Sequence, residues 1–122
     1  MKLNITFTHI KKAEGKLFAA LFKNGIGYPD RHELAATWEV LEVNMPETVW
    51  TVDVDEESDY AVTAFQDVNN NGRLDKNRMG VPTEPMGFSN DVRPVFGAPS
   101  YLSASFVPKN VPNGITIRLF TL

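Results

Sequence analysis

Asp67, Asn69, Asn71 and Asp75 recur at alternate positions in the stretch DVNNNGRLD, with Gly72 set among them. Oxygen-bearing side chains in that rhythm suit a hard cation. Calcium takes roughly six to eight oxygens at about 2.3–2.6 Å, and a short peptide can supply most of them when alternate residues turn inward around a glycine. On calcium-loop spacing the ligands read as Asp67, Asn69, Asn71, the backbone carbonyl of Arg73, and Asp75; Gly72 makes the bend and Leu74 anchors the loop to a core. The position that carries a bidentate Glu in helix-flanked calcium loops is Arg78, which cannot ligate a cation. Glu84 is the nearest carboxylate downstream, and Asp91 is the next. Asn and Asp runs also build metal-free turns. Here spacing, glycine and apolar anchor coincide, which favours calcium.

The elements that must position this loop read as strands. AVTAFQ, just before Asp67, has no helical period, so the loop is not an EF-hand. Leu3, Ile5 and Phe7 alternate with polar neighbours, Leu17 to Phe22 is an apolar run, and Trp38 to Val43, Val49 to Val54 and Tyr60 to Phe65 continue the pattern. Glu33 to Thr37 has room for one helical turn. Leu102 to Val107 and Ile115 to Leu122 read as a closing hairpin, joined by Val111-Pro112-Asn113-Gly114 with its Asn-Gly turn signal. The pattern predicts an all-β fold over residues 1–122 as a single domain: an antiparallel β-sandwich of about seven strands, Ig-like or transthyretin-like. A long ordered loop, Asp67 to Tyr101, separates its fifth and sixth strands. Its apolar residues, among them Met86, Phe88, Phe96 and Tyr101, offer enough surface to pack on a sheet end and shape a binding surface.

Composition narrows the function classes. A net charge of −3 gives no basic footprint, so nucleic acid is not expected as a partner. The chain has no Cys and 2 His, which excludes thiolate chemistry and a multi-histidine zinc site. No apolar run is long enough for a membrane span. Ser89 and Ser100 have no histidine placed by motif, so a nucleophilic triad has no support. The acidic stretch Asp53 to Asp59 reads as a solvated turn, and Arg93 with Asp91 as a salt bridge fixing the loop.

DVNNNGRLD followed by MGVPTEPMGFSNDVRPVFGAPSY closely resembles family 2141 of the bacterial domains of unknown function. The matching positions are Asp67 to Asp75; Gly80, Val81, Pro82, Glu84, Gly87, Phe88, Ser89 and Asn90; and Gly97, Pro99, Ser100 and Tyr101. Asp91 stands where a second Asn is more usual, and Tyr101 where Phe is. The resemblance implies a small exported β-sandwich, periplasmic or extracellular. The chain itself opens on a strand pattern rather than a leader peptide, which leaves a cytoplasmic location open. The resemblance also strengthens Glu84 as the distal metal ligand.

Two functions follow. The first is a non-catalytic, calcium-stabilised binding or structural module whose partner is a small molecule, a glycan or a protein. The second is a metal-assisted hydrolase that uses an open position on the same ion, with Glu84 or Asp91 as a free base beside a polar cleft.

Overall fold

The computed structural model describes residues 1–76, 78 and 82–122. Among the described residues seven strands form two sheets: β1 (Lys2–Thr8), β2 (Lys16–Lys23), β3 (Thr37–Glu42), β4 (Thr48–Asp53), β5 (Tyr60–Asp67), β6 (Met86–Phe88) and β7 (Ile115–Arg118). One sheet has the order β4-β1-β7 and the other β3-β2-β5-β6. All pairings are antiparallel except β1 with β7, which runs parallel with Ile5 opposite Ile115. Among the described residues no helix is long and apolar enough to cross a membrane.

Alternation decides which side chains meet between the sheets, because successive residues of a strand point to opposite faces. Leu3, Ile5 and Phe7 of β1 turn inward, as do Leu17, Ala19 and Leu21 of β2 and Val62 and Ala64 of β5. Phe7 is fully buried, and such a ring contributes roughly 1.5–3 kcal/mol. On β2 the other face is covered too, since Ala20 and Phe22 are also buried. The apolar run LFAALF therefore belongs to a strand packed on both sides. A second cluster covers that outer face: Met86, Phe88 and Phe120, with Tyr28, Phe65, Leu74 and Val92 against them.

Four expectations need correction. Leu102 to Val107 is not a strand. Ser100 caps a helical turn, α1 (Tyr101–Ala104), its hydroxyl accepting from Ser103 N at 3.2 Å, and Leu102 is 84% exposed. Only Phe106 pairs with a strand, as a bridge to Tyr60. The closing hairpin is also absent. Gly114 N donates to Val111 O at 3.0 Å, so the turn is real, but it delivers β7 to β1 rather than back along the chain. Gly114 has φ +93°, and a Cβ there would lie 2.5 Å from Asn4 O. The sixth strand lies instead inside the long loop, as Met86–Phe88. The helical turn expected over Glu33 to Thr37 falls slightly earlier, as a 3-10 turn at His32–Leu34.

Candidate functional site

The Asp67 loop leaves the end of β5 and returns at β6. Asp67 is the last residue of β5 and is 6% exposed. Its Oδ1 accepts from Asn71 N at 3.1 Å and its Oδ2 from Gly72 N at 2.7 Å. Gly72 adopts φ +79° with open space where a Cβ would stand, so its backbone conformation, not crowding, calls for glycine. The alternation continues through side chains. Asn69 Oδ1 accepts from Asn71 N at 3.3 Å, and Asn71 Oδ1 from Arg73 N at 3.1 Å. Asn69 Nδ2 and Asn71 Nδ2 donate to the two oxygens of Asp75 at 2.7 and 2.5 Å.

Glu84 closes the loop. It too is 6% exposed, and its carboxylate spans the two ends: Oε2 accepts from Val68 N at 2.7 Å and Oε1 from Asp75 N at 2.9 Å. Thr83 N donates to Asp75 O at 2.9 Å beside it. The structure thus brings Asp67, Asn69, Asn71, Arg73, Asp75 and Glu84 into one hydrogen-bonded loop. Its carboxylates are each engaged separately, and among the described residues no three His, Asp or Glu side chains converge as a metal cage. The donor set is still one of oxygens only, which suits a hard cation.

Of the residues expected to shape a binding surface, Met86 and Phe88 line one groove, and Phe96 and Tyr101 are not among its lining residues. Met86 and Phe88 are buried in the outer-face cluster, and Phe96 stands wholly in solvent. Tyr101 packs edge-on against Tyr28, ring centroids 5.5 Å apart, and its hydroxyl donates to Asp59 at 2.6 Å. The Tyr28 hydroxyl donates to Pro99 O at 2.8 Å. Burial pushes the Tyr28 phenol up to about 12 and raises Tyr101 further, with Asp59 adding to the latter. A folded pKa raised above the unfolded one stabilises the fold below the unfolded value and loses that contribution as pH climbs to the folded one. The melting temperature should therefore fall between about pH 10 and pH 12, and Tyr28→Phe should flatten that fall. An identical alkaline profile in the variant would show that Tyr28 is not the group responsible.

The GFSN motif is structural. A Cβ on Gly87 would lie 2.7 Å from Ile117 Cγ2. Ser89 is fully buried; its Oγ accepts from Val62 N at 2.9 Å and donates to Ala104 O, which leaves it no nucleophilic role. Asn90 Nδ2 donates to Ser103 O and Ser105 O at 3.0 and 2.8 Å. Gly80 and Val81 lie outside the described residues. The expected Asp91–Arg93 salt bridge is replaced: Asp91 accepts from Arg118 N at 2.9 Å, and the Arg93 guanidinium lies 4.3 Å from the Phe120 ring centroid. Asp53 is the last residue of β4, and the stretch from there to Asp59 is a turn region, in which Asp55 accepts from Glu57 N and the Ser58 hydroxyl.

Met86 and Phe88 line a groove of about 750 Å³ on the outer face of the β3-β2-β5-β6 sheet, most of whose other walls sequence reasoning missed. Phe18, Phe65 and Leu74 are among the side chains that line it, with Arg73 and Lys76 at the loop and Asp30 and His32 also on its wall. Its signal was present in LFAALF, which is apolar at consecutive positions and so demands cover on both faces.

Fold and loop together define a β-sandwich carrying an Asx-rich loop clasped by a distant glutamate. The chain belongs to the family described as an uncharacterized protein conserved in bacteria (DUF2141), whose profile matches residues 5–115. No curated protein and no solved structure gave a match.

Proposed function

We propose that this chain is a non-catalytic binding or structural module, exported from the cell, whose Asp67 loop binds calcium and gains stability from it. The observation that carries this reading is the turn of Asp67, Asn69 and Asn71 around Gly72, with the buried Asp67 carboxylate held inward by the amides of Asn71 and Gly72. Asn69, Asn71, the Arg73 carbonyl and Asp75 would supply further oxygens, and Glu84 the distal carboxylate. Asn69 and Asn71 present NH2 groups to Asp75; holding a cation requires each to present its Oδ1 instead. With Asp67, Asp75 and Glu84 as the carboxylates, affinity should be on the order of 10⁻⁵ to 10⁻³ M.

The hydrolase reading has less support. Neither Glu84 nor Asp91 is among the residues lining the groove beside the loop, and the Glu84 oxygens are both held by backbone amides.

Calcium at a hundredfold excess over its Kd should add about 2.7 kcal/mol to the stability of the fold. Calorimetric titration should show Asp67→Ala without binding and Asp53→Ala unchanged, because Asp53 pairs with Lys2 at 2.9 Å, outside the loop. Equal melting temperatures in chelator and in millimolar calcium would overturn the reading, and equal loss in both variants would show that the site had been misplaced.

A further inference from the structure

We propose that the groove on the outer face of the β3-β2-β5-β6 sheet binds a small amphipathic organic anion, its apolar body on the sheet and its negative end at Arg73 and Lys76. The proposal rests on the reading of this chain as a binding module, and not on the ion.

Three observations carry it. The groove, about 750 Å³, falls within the range of small-molecule sites, roughly 300–1,000 Å³. Its floor is aromatic and already ordered: Phe18 stacks on Phe65 with centroids 5.3 Å apart, and His32 meets Phe18 edge-on at 5.1 Å. A ligand entering it would find an apolar surface that does not have to be assembled. Third, the charge is placed. In a chain of net charge −3, Arg73 and Lys76 both line the groove, on the loop that forms its wall. Both are exposed, and among the described residues neither forms an ion pair. Asp30 is the acidic side chain on the wall. Apolar walls strengthen the pull of such a cationic pair on an anion. A neutral ligand would leave that pair unused, and a cation would meet repulsion from it.

A smaller hollow of about 270 Å³ lies beside Lys11, Lys12 and Phe120 and provides the internal control. The probe is 8-anilinonaphthalene-1-sulfonate, read by fluorescence, with N-phenyl-1-naphthylamine as the same body without the anion. Both are titrated in chelator and in millimolar calcium. The sulfonate should bind at one per chain and be displaced by the neutral probe. Arg73→Glu with Lys76→Glu should raise the sulfonate Kd at least tenfold, about 1.4 kcal/mol, and leave the neutral probe within twofold. Lys11→Glu with Lys12→Glu should leave both unchanged. Non-saturable sulfonate binding in both media, a sulfonate Kd indifferent to the Arg73 and Lys76 reversal, or loss on the Lys11 and Lys12 reversal would overturn the proposal. Failure of the calcium reading would show separately, as equal melting temperatures in the two media with sulfonate binding intact.

Discussion

Glu84→Ala will lower the stability of the fold by about 3 kcal/mol in chelator, before any metal is added. The carboxylate is 6% exposed and accepts from Val68 N at one end of the loop and Asp75 N at the other. Hydrogen bonds to a charged group are worth about 1.5–3 kcal/mol each, and truncation leaves two amides without the acceptor they had. Glu84→Gln keeps one carbonyl acceptor and turns an NH2 toward the other amide, so its loss should be roughly half. In calcium the same Gln variant should raise the Kd at least tenfold, since a neutral amide is a weaker ligand than a carboxylate. Urea denaturation in chelator measures the first effect, and calorimetry the second. Hydrogen exchange should show residues 82–101 less protected in both variants. A loss below about 1 kcal/mol for the alanine variant would mean that water serves both amides, and the glutamate would not be the clasp described above.

Gly15→Ala will cost still more, roughly 4 kcal/mol, at the top of the range that single substitutions reach. Gly15 has φ +65°, and an added Cβ would lie 1.9 Å from Asp67 O and 2.8 Å from Val68 Cα. Those are backbone atoms, so no side-chain rotation relieves the clash. The strand end that carries Asp67 has to move, and the loop moves with it. Gly97→Ala is the calibration: Gly97 has φ +84° with nothing within 4 Å, so it bears only the left-handed strain, about 1–2 kcal/mol. Thermal melts of the two variants decide the point. Equal losses would show that β2 and the loop are less tightly apposed than the structure describes.

The strands that were legible from the sequence are those whose alternation is paid for by burial on one face. Leu3, Ile5 and Phe7 could be assigned because each inward neighbour is apolar and Asn4 and Thr6 are not. Met86–Phe88 was not legible as a strand. It has three residues, all buried, with Gly87 at its centre, and that glycine is required by Ile117 on another strand. Leu102, Ala104 and Phe106 alternate as a strand would, yet the Ser100 cap is a local signal that outweighs them. The rhythm of Asp67, Asn69, Asn71 and Asp75 could be read from spacing, whereas Glu84 was reached only as the nearest downstream carboxylate and through the family resemblance. Which atoms Glu84 contacts could not, because Val68 N and Asp75 N are backbone groups, identical at every residue, and only folding selects among them.

The parallel pairing of β1 with β7 makes one edge of β1 depend on a strand far away in sequence. Ile5 meets Ile115, and Leu119 N donates to Thr8 O at 3.0 Å, so β1 gains its second neighbour only from the far end of the chain. β1 can pair with β4 without β7, but its other edge stays open until residues 115–118 dock. An open edge is a template for pairing between chains. Contacts of such sequence separation are slow to form, because the closure of the intervening chain comes before any gain from the contact. Until β7 docks, β1 therefore carries a sticky edge, and removing it requires a contact between strands far apart in sequence.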